Sequence, residues 1–370
     1  MKYIYLDNAA ATPPEAERLQ EYALLSRDYY ANSESSHAAG RASKEFQDKC
    51  AEQLCRAIGG DEKNACVLWT NSGTESANAA LALPMFRKSV IVTTKAEHPS
   101  ILAAAERSGS EIRYAGLSSD GEINIDSLSE ILDTSVRLLA IHHVQSETGR
   151  IQDIAKISSL LKEKAPRAVF LVDTIQSLCK ISVPVGEDGP GMLLLSGCKI
   201  GSPAGGAVMA APGFADEFKK LRFQEHLVSR VNPAVSAVLA RQVHYLSGER
   251  EKIYGKAKEL STVLRQALES LGKECVPTVP PEKASPFIVH ARFPGREGAV
   301  LARMLSAKGI MVSAGSACSA ESGGPSKALA AMGFTGQDAY SALRISLWKE
   351  NTLNDINIFI DALKESLKNY

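Results

Sequence analysis

Residues 191–206 read Gly191-Met-Leu-Leu-Leu-Ser-Gly-Cys-Lys-Ile-Gly-Ser-Pro-Ala-Gly-Gly206. The apolar run Met192 to Leu195 reads as a buried strand. It delivers Ser196, Gly197, Cys198 and Lys199 to its end, and a turn rich in glycine (Gly201, Gly205, Gly206) follows. A lysine at the end of a buried strand is costly to bury charged, so it is either solvated or held neutral for chemistry. A neutral amine beside small hydroxyl donors suits a Schiff base to a carbonyl cofactor.

Upstream, other strands end on groups of similar interest. Ala168-Val-Phe-Leu-Val-Asp173 is almost wholly apolar, as parallel strands covered on both faces are, and ends on a carboxylate. That carboxylate can pair with a cationic ring nitrogen or cap the turn that follows. Val90 to Thr93 is a strand, after which Glu97-His98-Pro99-Ser100 opens a helix expected over Ile101 to Ser108. His98 then lies where doubly wound sheets place ligands, or is a solvated histidine at a proline turn. Cys66 to Thr70 is a strand followed by Asn71-Ser-Gly-Thr-Glu-Ser76 and a helical run of small residues, Ala77 to Leu83. This is the geometry of an anion site at a helix start, and equally of a helix capped by Ser72 or Thr74. It lacks the lysine of a Walker loop and the spacing of a dinucleotide fingerprint.

Alternation of strand and helix from about Val67 to Met209 predicts an α/β fold with a mostly parallel sheet. Ile112 to Ala115 and Ile123 to Ile125 read as edge pieces, Leu128 to Leu132 as a helix, Val136 to His143 as a strand, and Ile151 to Lys164 as a helix. After Pro212 a long helical stretch, Val235 to Glu269, bridges to a second region. That region holds strands at Phe287 to His290, Ile310 to Ser313 and Leu343 to Leu347, and helices at Gly298 to Gly309 and Thr352 to Lys368. We expect a large domain over 15–250 and a small α+β domain from 1–14 with 251–370.

At 370 residues the chain can bury a substantial core. Lys+Arg and Asp+Glu are both 42, which argues against a general nucleic-acid binder and fits a small-molecule enzyme. No apolar run is long enough to span a bilayer, and Met1 to Asp7 lacks the apolar core of a signal peptide. Seven scattered cysteines, without a Cys-x-x-Cys pair, point to a reducing cytoplasm and to neither a disulfide framework nor a metal site.

Taken together, the strand ends gather backbone amides with hydroxyls, a histidine, an acid and an amine on one rim. At this point the chain resembles the cysteine desulfurases, fold-type I pyridoxal-phosphate enzymes of the class V aminotransferase superfamily. The resemblance rests on Tyr5-Leu-Asp-Asn-Ala-Ala10, Gly73-Thr-Glu-Ser76, Glu97-His-Pro99, Glu147-Thr-Gly149, Val172-Asp173 with Gln176-Ser177, Ser196-Gly-x-Lys199, Gly315-Ser-Ala-Cys-Ser319 and Leu343-Arg-Ile-Ser346. It covers nearly the whole chain.

The resemblance implies that Lys199 holds pyridoxal 5'-phosphate and moves the substrate's Cα proton, and that Asp173 keeps the ring nitrogen protonated. It also implies that His98 stacks on the ring and relays protons, and that Gln176 bonds the ring oxygen. Gly73, Thr74 and Ser196 would hold the phosphate, and Arg344 the substrate carboxylate. Cys318 would take sulfur from L-cysteine as a persulfide, releasing alanine, and pass it to an acceptor protein; homodimers are implied too. Three positions depart from the family pattern. Cys198 stands where histidine is usual. Ser146 stands where an asparagine contacts ring oxygen and substrate carboxylate. The segment 223–232 lacks a secure match to the threonine that reaches the neighbouring subunit's phosphate. These departures keep open a different substrate, such as selenocysteine or cysteine sulfinate, and a scaffold-type relative with weakened catalysis.

Overall fold

Short, mostly apolar runs between residues 66 and 210 become the strands of one sheet. The computed structural model describes residues 3–60, 65–183, 185, 189–222, 229–315 and 324–370. Its strands are β1 (Ile4–Tyr5), β2 (Cys66–Thr70), β3 (Val90–Thr94), β4 (Glu111–Ala115), β5 (Val136–His142), β6 (Val169–Asp173), β7 (Met192–Ser196), β8 (Gly206–Ala210), β9 (Val276–Pro277), β10 (Ile288–Arg292), β11 (Ile310–Met311) and β12 (Ala342–Ser346). The helices are α1 (Ala16–Asp28), α2 (Ala38–Ala57), α3 (Gly73–Leu81), α4 (Pro99–Arg107), α5 (Ile125–Ile131), α6 (Ile154–Lys164), α7 (Ala215–Arg222), α8 (Pro233–Glu269), α9 (Gly298–Ala307), α10 (Lys327–Ala331) and α11 (Leu353–Lys368).

Strands β2 to β8 form a sheet in the order β2-β8-β7-β6-β5-β3-β4. The pairs from β7 through β6, β5 and β3 to β4 are parallel, and β8 runs antiparallel to both its neighbours. The mostly parallel sheet is therefore as expected. Both faces are buried, and alternate residues serve opposite layers. Val92, Leu139, Val172 and Leu193 pack with Leu54 of α2, Ile157 of α6 and Val235 of α8. Their neighbours Ile91, Leu138, Leu171 and Leu194 pack with Ala80 of α3, Ile101 of α4 and Leu221 of α7.

Among the helix starts that differ from the sequence reading are those of α5 and α6. Ile125 is the first residue of α5, not part of an edge strand, because the Asn124 side chain accepts the Ser127 amide and caps the helix there. Helix α6 begins at Ile154, since Asp153 caps it through the Lys156 amide and Ile151 is drawn into a bridge with Val144. Both are short polar residues satisfying orphan helix donors, as capping chemistry requires.

Helix α8 is shared between two cores. Residues up to Ala257 pack against the large sheet, whereas Leu260, Leu264 and Leu268 join a separate cluster with Leu6, Leu301, Leu343, Ile345 and Phe359. In that cluster β12, β10 and β9 form an antiparallel sheet, and β1 pairs with β11. The N-terminal segment is tied to this part by the Asp7–Ser346 bridge. Among the described residues no helix is long and apolar enough to cross a membrane.

Gly298 starts α9 so close to β12 that a Cβ there would stand 1.9 Å from the Ala342 carbonyl oxygen. Gly298→Ala is therefore expected to push α9 off its strand and to destabilise the protein by roughly 1–3 kcal/mol. An unchanged midpoint in urea unfolding would contradict this packing.

Candidate active site

The C-terminal ends of β5, β6 and β7 and the loops after β2 and β3 converge on a cavity of about 220 Å³. Gly73, Thr74, His98, Ser146, Asp173, Gln176, Ser196, Lys199 and Arg344 all line it, so the structure brings together nine of the ten predicted site residues. The tenth, Cys318, lies outside the described residues, as does most of the 223–232 segment.

One end of the cavity is the start of α3. Ser72 caps this helix by accepting the Glu75 amide at 3.2 Å, so the capped-helix reading holds. It does not exclude an anion site, because the first amides of a helix lack intrahelical acceptors and carry the positive end of its dipole. Gly73 lies close against its neighbours there: a Cβ would crowd Ile175 Cδ1 at 2.6 Å and Ser196 Cβ at 3.1 Å. Cys198 is exposed beside this end, with its Sγ 3.2 Å from Ser196 Oγ.

The floor is acidic. Asp173 ends β6 and accepts the Ile175 amide on Oδ1 at 2.9 Å, so it does cap the following turn. It also lines the cavity. Burial pushes its carboxyl up to about 6; the nearby Glu97 adds to this, while the Ile175 amide, His142 and Lys199 oppose it.

Next to Asp173 in the sheet register is His142, which also lines the cavity and was not singled out from sequence. His142 Nδ1 bonds Glu97 Oε1 at 2.9 Å, and the same oxygen accepts from Thr94 Oγ1 at 2.7 Å. Gln152 Nε2 meets His142 Nε2 at 3.1 Å. The Gln152 amide is oriented by backbone, since its Oε1 accepts the Ile123 amide and its Nε2 donates to Gly121. This network assigns the His142 proton to Nδ1. The signal that could have found His142 was its place as the polar end of an apolar strand, the same signal that marked Asp173.

His98 opens α4 and accepts the Ser100 amide on Nδ1 at 3.2 Å, as a cap. Burial holds its imidazole below the usual histidine range; Lys199 reinforces this and Glu97 opposes it. Lys199 is half-buried on a short turn after β7, where its Nζ donates to the Ala10 carbonyl. Gln176 donates from Nε2 to the neighbouring Ala9 carbonyl at 2.9 Å. The N-terminal turn is thus a wall of the cavity.

That turn also engages Arg344, which is buried on β12. One of its terminal nitrogens donates to Asp7 Oδ1 at 2.7 Å and the other to the Ser146 carbonyl at 3.0 Å. Among the described residues its buried Nε has no partner. The resemblance implies that Arg344 takes the substrate carboxylate; here it holds the carboxylate of Asp7, which an incoming one would have to share or displace.

An amine, a buried acid, a helix start and an arginine on one cavity suit a ligand with an anionic group, a reactive carbonyl and a basic ring atom. Comparison with known proteins finds relatives over nearly the whole chain. The Aminotransferase class-V family profile matches residues 4–239 and 229–359. A cysteine desulfurase of Nostoc sp. is 29% identical over 387 residues, covering 99% of this chain and 93% of that protein. The putative cysteine desulfurase IscS 1 of Bacillus subtilis is 28% identical, covering 96% of each. A solved NifS-like protein superposes with a TM-score of 0.86 at 24% identity, covering 100% of both chains, which speaks to the fold.

Proposed function

Because the chain belongs to the class-V aminotransferase family, we propose that it is a pyridoxal-phosphate-dependent cysteine desulfurase, turning L-cysteine into L-alanine with transfer of sulfur to Cys318. The observation that supports this reading most is that Lys199 and Asp173 line one cavity together with the α3 start and Arg344.

The residues present fit the cofactor. The close-packed Gly73 position, with no side chain of its own, leaves backbone amides and the Ser196 hydroxyl for a phosphate. A carboxylate that is costly to ionise alone gains from a cationic N–H partner, so Asp173 suits a protonated ring nitrogen. When bound, pyridoxal phosphate supplies an electron-withdrawing conjugated ring that eases loss of the substrate's Cα proton and cleavage of its Cβ–S bond.

The chain's own groups do the rest. Lys199 holds the cofactor through its amine, and then takes and returns the Cα proton. His98, kept neutral by burial, can accept or donate a proton beside it. Arg344 orients the substrate carboxylate. The Cys318 thiolate attacks the substrate sulfur; the Cβ–S bond breaks, its electron pair remains with carbon, a proton replaces sulfur there, and alanine leaves. The reading includes a second copy of the chain, a protein that collects the persulfide sulfur, and a reducing cytoplasm as the setting.

Cys318→Ala tests it. We expect the variant to retain the colour of bound cofactor while persulfide formation and alanine release from L-cysteine stop. Normal persulfide yield in that variant would overturn the assignment of Cys318, and failure of the wild type to release alanine from L-cysteine would overturn the reading.

A further inference from the structure

Behind Gln176 lies a second lysine that the proposed mechanism does not use. Lys180 is 1% exposed and sits at the end of the turn that follows β6. Its Nζ donates to Gln176 Oε1 at 3.3 Å and stands over the rings of Trp348 and Phe287, 5.5 and 5.9 Å from their centroids. Among the described residues no carboxylate pairs with it. Burial pushes its amine down to about 7, with the Lys199 charge adding to that and Cys198 opposing it. A buried lysine without an acid is costly, and its hydrogen bond goes to one side chain.

The partners of Gln176 leave its amide a single orientation. Ala9 offers only a carbonyl, so the nitrogen must face it. Lys180 Nζ donates to the oxygen at 3.3 Å, so the oxygen faces it. Turning the amide over would set its oxygen against the Ala9 carbonyl oxygen and lose the bond from Lys180. An amide nitrogen has two hydrogens; Ala9 takes one, and Gln176 lines the cavity. The second N–H is therefore available to a ligand there.

We propose that Lys180 is a positioning residue: by holding Gln176 Oε1 it makes this wall of the cavity present an N–H, and so selects a ligand with an acceptor oxygen at that point. The inference rests on the pyridoxal-phosphate reading, which supplies that acceptor in the ring oxygen.

The test is equilibrium binding of pyridoxal phosphate to full-length protein stripped of cofactor, together with the thermal midpoint of the stripped protein. Lys180→Met is expected to weaken binding about tenfold, about 1.4 kcal/mol, while leaving the midpoint unchanged or raising it, because it removes a buried polar amine. Lys180→Gln keeps a donor toward Gln176 without the charge and is expected to stay within threefold of wild type. In a Gln176→Leu background, Lys180→Met is expected to cost no further affinity. Wild-type affinity in folded Lys180→Met, a tenfold loss in folded Lys180→Gln, or an undiminished loss in the Gln176→Leu background would each overturn the positioning role and leave the cofactor reading intact. Wild-type protein that takes up no pyridoxal phosphate would overturn both.

Discussion

Lys199→Ala is expected to abolish the visible absorbance of a lysine-bound cofactor and to lower turnover by roughly 10²–10⁴-fold or more. The effect is large because the same amine has two tasks, holding the cofactor and carrying a proton, and among the described residues no other lysine lines the cavity. Lys180 is the nearest replacement in charge, but it lies behind Gln176 with its Nζ committed to that side chain. The variant should remain folded, since Lys199 is half-buried on the rim and its bond to the Ala10 carbonyl is a single contact of the N-terminal turn. Absorbance of the stripped and reloaded protein, read beside alanine release, checks both expectations. Wild-type turnover in the variant would remove Lys199 from the mechanism.

The second large effect runs in opposite directions for stability and for catalysis. Asp173 is pushed from 3.8 to about 6, chiefly by desolvation, so the folded protein binds its proton more tightly than the unfolded chain does. A carboxyl with a raised folded value contributes stability that is fully present below about 3.8 and is lost as pH rises through about 6. That interval corresponds to about 3 kcal/mol. Asparagine of the same shape can still accept the Ile175 amide but carries no charge. Asp173→Asn, stripped of cofactor, is therefore expected to be more stable than wild type by up to about 3 kcal/mol at pH 7.5. The gain should shrink between pH 6 and 4 and vanish below. Loaded with cofactor, the same variant should turn over roughly 10²-fold more slowly, since no carboxylate then holds the ring nitrogen. Urea unfolding across pH, with turnover measured at pH 7.5, separates the two. A variant less stable than wild type at pH 7.5 would contradict the cost of burying Asp173.

These expectations show how much was readable before any coordinates. The runs ending at Asp173 and Ser196 were legible as parallel strands because burial on both faces leaves a continuous apolar stretch that needs no partner to be recognised. Once the strands are parallel, their ends share a rim, and residues far apart in the chain are predicted to meet. The start of α5 at Ile125 was not legible, since a two-turn helix and a short apolar edge piece look alike until Asn124 is seen to cap the one and not pair the other. Arg344 was identified by resemblance, yet its engagement with Asp7 could not be, because that pairing joins residues 337 apart in sequence.

By itself the sequence determined the α/β class, the succession of strands, and the chemical type of the group each strand end would carry, because periodicity and end residues are local properties of the chain. The tertiary structure alone decided that the N-terminal turn walls the cavity through the carbonyls of Ala9 and Ala10, that His142 and Glu97 form a buried pair beside Asp173, and that Lys180 stands behind Gln176. Those arrangements depend on which distant backbone carbonyl meets which donor and on how far each charge is withdrawn from water. Both quantities come into being only when separate segments pack together.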